Sequence, residues 1–332
     1  MRVLVVSNML ADAGHPERGR FVRDQVAALR GTAAAGEGDG ERGRLEVELY
    51  EFLPGPRALA DAARELRAHY GRRGAGRFDV VHAHYGLSAW PALAVGARIR
   101  GLTVHGTDVR HPRTRQATRA VLPLMDLVAA ASPELAGELP GAAARRRALV
   151  LPCGVDMTRF RPLPRARARA ELGLDPERPC LLFPADPGRP EKRFDRAQAL
   201  VRTLASPPRL LTLGGVAPER VPLWINAANA VLVTSEREGF GLAVLEALAC
   251  DVPVLATPVG VHREALNDLA GTLCEPFEPA RWRTALEPHL GDADPRVRGR
   301  ERAERFSSIR MAAALAQAWR AALDEHGGER DG

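Results

Sequence analysis

Short runs of β-branched and aliphatic residues alternate along the chain with Ala-, Leu- and Arg-rich stretches of helical period. That order builds parallel sheets covered by helices on both faces. In the first half the runs that predict strands are Arg2 to Ser7, Leu45 to Phe52, Val80 to His84, Leu102 to His105, Leu127 to Ala131 and Ala148 to Leu151. In the second half they are Cys180 to Pro184, Arg209 to Leu213, Ala230 to Thr234, Pro253 to Thr257 and Gly271 to Cys274. The pattern predicts two successive doubly wound α/β units. Prolines and Gly154 interrupt it between Pro152 and Pro164, which places the boundary there and gives domains 1–155 and 156–307. A closing helix within 308–325 carries Met311, Leu315, Trp319 and Leu323 at four-residue spacing, an apolar stripe that must dock. Gly31 to Arg44 lacks periodicity and reads as a flexible loop, and Gly327 to Gly332 reads as a polar tail.

The chain has 332 residues, 45% of them hydrophobic, enough for two domains of ordinary size with a cleft between them. No apolar run approaches the ~20 residues of a spanning helix. The first strand starts at Arg2 with no leader-like segment ahead of it, so a cytoplasmic location is expected. Cys153, Cys180, Cys250 and Cys274 are far apart and read as reduced thiols, not as a zinc site or a disulfide framework. A net charge of +6 permits attraction to nucleic acid, an acidic membrane surface or a phosphorylated small molecule. Aromatics make up 5% and are not interleaved with the basic residues, so no nucleic-acid partner is expected.

Ligands of open α/β sheets sit beyond the carboxyl ends of the strands, so residues just after strands carry the functional reading. Ser235 to Ala249 follows one such strand. Gly239, Phe240, Gly241 and Leu242 form a strand-to-helix turn whose free amides suit a phosphate. Glu238 stands at the helix mouth, and Glu246 lies about two turns inside, among leucines, where a carboxylate needs a hydroxyl or cation. An ordinary helix cap beside a surface glutamate is the plain alternative. Phe183 to Asp195 places Arg189 and Lys192 after another strand, a fork and a point charge suited to a diphosphate, or simply a solvated basic loop.

In the first half, Gly19 opens a helix after the first strand, and Leu102 to Asp108 ends a strand in His105 and a glycine turn. A histidine there presents its ring to a ligand or is a satisfied structural residue. Asp108 is either its orienting partner or the cap of the next segment. His82 and His84 share one strand face, and with no third ligand evident they read as cleft lining. The only Asp-x-Asp, Asp292 to Asp294, lies near the C-terminus, so no essential metal is expected. Arg110, Arg113, Arg115 and Arg119, with Arg145 to Arg147, could meet an acceptor phosphate or make weak peripheral contact with an acidic membrane face, or form a solvated surface.

Together with Ala256-Thr-Pro-Val-Gly260, the Ser235 to Ala249 segment resembles the signature of the family 4 glycosyltransferases, whose paired glutamates are separated by seven residues. The resemblance spans most of the chain. It implies a GT-B fold, with two Rossmann-like domains facing a central cleft and the closing helix packed back on the first, acceptor-side domain. It implies a retaining transfer from a UDP- or GDP-linked sugar, with no cofactor beyond that donor. Glu238 then holds sugar hydroxyls, Glu246 the nucleotide ribose, Arg189 and Lys192 the diphosphate, and His105 the sugar, while Gly19 and the Gly239–Leu242 turn approach the donor. The Arg–Lys spacing is shorter than the common form, Arg193 stands where glycine is usual, and only Gly19 remains of a double glycine. The acceptor stays open among a cell-surface glycan precursor, a lipid-linked glycan and a small metabolite. A sugar-nucleotide epimerase of the same fold and a non-catalytic nucleotide-sugar-binding subunit are the competing readings.

Overall fold

The computed structural model describes residues 1–34, 45–71 and 78–328. The chain divides into two compact units, one of Met1–Ala13, Arg18–Gly154 and Ser308–Gly332, the other of Gly14–Glu17 and Val155–Ser307.

The first unit holds strands β1 (Arg2–Ser7), β2 (Glu46–Glu51), β3 (Phe78–His84), β4 (Ala97–Val104), β5 (Leu127–Ala130) and β6 (Leu149–Val150) in the order β2-β1-β3-β4-β5-β6, all pairings parallel. Five of the six residues of β1 are buried, as expected of a central parallel strand covered on both faces. On one face the core joins Val3, Val5, Val80 and Ile99 to Val22, Val26 and Leu29 of helix Arg20–Ala34 and to Ala312, Leu315, Ala316 and Trp319 of helix Ser308–Gly328. The long closing helix therefore buries its stripe against this sheet and its neighbouring helix. β4 begins at Ala97, five residues before the apolar run that predicts it. Arg98 is exposed and Arg100 half-buried on either side of the buried Ile99, and these two charged residues hide the strand in the sequence.

Two loop readings need correction. Helix Arg20–Ala34 takes in Gly31–Ala34, so only 35–44 of the expected loop fall outside the described residues, and helix Ser308–Gly328 takes in the first two glycines of the expected tail, leaving 329–332 outside them. A glycine in a helix costs only about 1 kcal/mol relative to alanine, too little to stop a helix that flanking residues such as Ala27, Ala28, Ala33 and Ala34 around Gly31 favour.

The second unit holds β7 (Cys180–Phe183), β8 (Arg209–Thr212), β9 (Ala230–Val233), β10 (Val254–Ala256) and β11 (Leu273–Cys274) in the order β11-β10-β9-β7-β8, again all parallel. Its core packs Leu181, Phe183, Leu232 and Leu255 against Leu200, Trp282 and Leu286. Among the described residues no helix is long and apolar enough to cross a membrane.

Candidate active site

Strand order fixes where each unit can hold a ligand. In the second unit the chain leaves β7 to form β8 on one side and returns to form β9 on the other, so the segments after β7 and β9 flank the switch point at the carboxyl edge. Those segments carry Lys192 and Glu238. The Lys192 Nζ donates to both carboxylate oxygens of Glu238, at 2.8 and 2.7 Å, and Ser235 Oγ donates to Oε1 at 2.7 Å. Lys192 is the only lysine of the chain, the other 46 of its 47 Lys and Arg residues being arginine. Burial alone would raise the Glu238 carboxyl, but Lys192, His262 and Ser235 outweigh it and hold the group below the ordinary glutamate range. A small pocket opens here, lined in part by Phe183, Lys192, Thr234, Ser235, Glu238 and Ala243.

Backbone contacts brace this arrangement. Thr234 Oγ1 donates to the carbonyls of Lys192 and Arg193, and the Glu236 amide donates to the carbonyl of Glu191 at 2.9 Å. Arg193 adopts the left-handed conformation, φ 54°, which accounts for glycine being usual at its place; its guanidinium lies on Asp195. Gly239 is partly exposed and Phe240 is buried, edge-on to Phe306. Gly241, at φ 105°, precedes helix Leu242–Ala249, and a Cβ there would stand 2.5 Å from His262 Nε2. Leu242 starts the helix, and Glu246 lies half-buried on its second turn.

Arg189 is not brought to this pair. Its guanidinium lies on Glu191 at 2.6 Å, with its side chain 56% exposed, because a carboxylate only two residues away captures it in the tight turn before Lys192. Sequence reasoning missed Ser235 and His262. His262 is buried, with Nδ1 at 2.8 Å from the Thr257 carbonyl. Its signal was position, since it follows directly on the Ala256–Gly260 turn.

In the first unit the equivalent crevice lies where β1 and β3 adjoin, at the ends of β1, β3 and β4. Gly19 caps helix Arg20–Ala34 with its carbonyl at φ 67°, and a Cβ would stand 2.2 Å from the Met9 carbonyl oxygen. His105 follows β4, half-buried, with Nε2 at 2.9 Å from His84 Nδ1. The rings of Phe21 and Tyr85 lie 4.7 and 4.8 Å from it. Burial first, then the neighbouring histidines, push the His105 pKa well below 6.5, so the ring is neutral. His82 and His84 do not line a cleft: both are fully buried, because β3 is covered on the face they share.

Asp108 holds the turn and not the imidazole. Its carboxylate accepts the amides of His105 at 3.0 Å, Gly106 at 2.8 Å and Gly86 at 3.3 Å. Burial pushes its pKa up to about 6, against these hydrogen bonds. A folded value above the unfolded one, near 3.8, means the folded chain retains the proton longer, so the stability this group contributes declines as pH rises from there to about 6. Denaturant unfolding of the wild type and Asp108→Asn across that range is expected to show the wild type losing stability relative to the variant as pH rises.

The basic cluster is largely occupied. Arg110 lies on Glu134 and Glu138, Arg115 on the Val109 and Glu138 carbonyls, Arg145 on the Leu139 carbonyl and Arg147 on the Leu122 carbonyl, while Arg113 and Arg119 are exposed. Asp294 of the Asp-x-Asp lies on Arg296 at 2.8 Å. Among the described residues, no group of three or more His, Cys, Asp or Glu is arranged to hold a metal ion.

Residues 2–159 match the family described as Glycosyltransferase Family 4, and residues 188–306 match Glycosyl transferases group 1. The D-inositol 3-phosphate glycosyltransferase of Nocardia farcinica is 32% identical over 333 residues, covering 83% of this chain and 74% of the relative. Its counterpart from Pseudarthrobacter chlorophenolicus is 31% identical, covering 84% and 78%. Among solved structures, sucrose-phosphate synthase of Thermosynechococcus elongatus superposes with a TM-score of 0.69 at 21% identity, covering 98% of this chain and all of that one. HepE of Anabaena, in complex with UDP and glucose, superposes with a TM-score of 0.66 at 17% identity over 97% of this chain and all of that one. Two all-parallel units that each end in a residue set at a switch point, and relatives of this closeness across most of the length, lead to one assignment: the chain is a glycosyltransferase of family 4, with the GT-B fold.

Proposed function

We propose that the protein transfers a sugar, with retention of anomeric configuration, from a UDP- or GDP-linked donor to a glycan precursor, lipid-linked glycan or small-metabolite acceptor, with no cofactor and no essential metal. The observation that carries this reading is the Lys192–Glu238–Ser235 cluster at the switch point of the second unit, followed by the Gly239–Gly241 turn into a helix. An ammonium has three N–H donors, and Lys192 directs two contacts to Glu238, so it can also meet a diphosphate whose charge grows as it departs. Glu238 is the acceptor for sugar hydroxyls, and the amides opening helix Leu242–Ala249 suit the phosphates. In this reading Glu246 takes the ribose and His105 the sugar. Arg189 contributes to the diphosphate only after leaving Glu191. Support for a uridine donor comes from HepE, which was solved with UDP and glucose.

Thermal unfolding against UDP, GDP, ADP and TDP and their sugar conjugates tests it, because a ligand bound only by the folded state raises Tm. One nucleotide family is expected to raise Tm by several degrees at saturating ligand, and Glu246→Ala to abolish that shift. Well-folded protein that responds to none of them overturns the donor assignment.

A further inference from the structure

We propose that His84 is a positioning residue that fixes the tautomer of His105, so that His105 meets its ligand with Nδ1–H, as a hydrogen-bond donor and not as a base. The inference rests on reading His105 as a ligand-contacting residue, but the tautomer itself is a property of the first unit alone.

β3 and β4 pair in parallel with His84 opposite Thr103, so the alternation of side chains puts His82, His84, Thr103 and His105 on one face. Three imidazoles follow one another there, with ring centroids 5.3 Å apart for His82 and His84 and 5.1 Å for His84 and His105. Burial pushes His84 down to about 3 and His105 well below 6.5, so both rings are neutral and one proton lies in the 2.9 Å contact between His84 Nδ1 and His105 Nε2. Two arrangements are available. If His105 Nε2 donates, the His84 proton sits on Nε2, which is buried with no partner, leaving an N–H stranded in the core. If His84 Nδ1 donates, the same buried atom is a bare lone pair. Orphaned buried N–H groups are rarer in proteins than under-satisfied acceptors, which selects the second arrangement. His105 Nε2 is then an acceptor, and its proton belongs on Nδ1, which has no hydrogen-bond partner among the described residues.

His82 serves as an internal reference with the opposite tautomer. Trp319 Nε1 is a donor only, and it lies 3.1 Å from His82 Nδ1, so that atom accepts. The His82 proton therefore sits on Nε2 and is donated to Thr103 Oγ1 at 2.8 Å.

The test is a long-range 1H–15N correlation spectrum of the full chain labelled in its nine histidines, assigned with His82→Asn, His84→Asn and His105→Asn. The expected result is Nδ1–H for both His84 and His105, and Nε2–H for His82. A protonated Nε2 on His105 overturns the proposal. His84→Asn, whose amide N–H can stand in for the imidazole Nδ1–H, is expected to leave His105 in the same tautomer. His84→Phe, which has no donor, is expected to release His105 to a tautomer mixture and to lower kcat by about tenfold with donor KM nearly unchanged. An unchanged His105 signal in a folded His84→Phe chain counts against the proposal. The predicted tautomers in a chain that turns over no nucleotide sugar would leave the inference standing and defeat the functional reading.

Discussion

Glu238→Gln is expected to lower kcat for sugar transfer by about 10²–10³, the loss seen when one preorganised electrostatic group is removed from a site that excludes water. The substitution is nearly isosteric, and the amide oxygen can still accept from Ser235 and Lys192, so the fold is expected to persist. What disappears is charge. The carboxylate is the counter-ion of a lysine whose side chain is only 16% exposed, and it is itself 9% exposed. Removing one partner of a buried pair costs about 3–5 kcal/mol where nothing replaces it, and the retained amide hydrogen bonds place Glu238→Gln below that range. Lys192→Met tests the other half of the pair. It is expected to weaken donor use and to let burial raise the Glu238 carboxyl, since the opposing cation is gone. The sign for stability follows: in the wild type the depressed Glu238 value preserves its contribution above the unfolded value and loses it only as pH falls through the lower folded one, whereas Lys192→Met forfeits it. Steady-state kinetics with unfolding curves for the two single variants and the double variant separate catalysis from stability. Near-wild-type kcat in a folded Glu238→Gln chain removes Glu238 from the mechanism.

How much of this was legible in the sequence depends on whether the signal was local. The turn at Gly239–Gly241 and its two glutamates could be read because a strand, two glycines and a helix follow one another without interruption. The eleven strands were legible for the same reason, apart from the start of β4, where Arg98 and Arg100 mask a buried Ile99. The partners of the site residues were not local. His84 meets His105 only through the register that sets it opposite Thr103, and no spacing along the chain encodes that pairing. His262 reaches Gly241 from a neighbouring strand end, whereas Ser235 lies only three residues from Glu238 and was overlooked inside a segment that was otherwise read. Arg189 was read by its charge, but the direction of a guanidinium depends on the nearest carboxylate, here Glu191. Lys192 carried a stronger signal than its spacing. In a chain that otherwise uses arginine for every basic side chain, a single lysine marks a place where a compact ammonium does what a planar fork does not.

Trp319→Ala is expected to be the most destabilising single change in the first unit, costing about 3–5 kcal/mol. Trp319 is fully buried in helix Ser308–Gly328, in the cluster that joins this helix to Val22, Val26 and Leu29 and to the sheet. Truncation opens a cavity and also strips His82 Nδ1 of its donor, leaving a buried acceptor unpaired. Trp319→Phe separates the two effects. It restores most of the buried volume but not the N–H, so it is expected to recover the larger part of the loss and leave a deficit of about 1–3 kcal/mol from the unpaired acceptor. Because His82 packs against Gly101, where a Cβ would stand 2.3 Å from His82 Nδ1, the ring has little room to turn and find another donor. Denaturant unfolding of the three proteins gives the measurement. Equal stability of Trp319→Phe and wild type would mean that packing alone holds the closing helix and that the contact with His82 adds nothing.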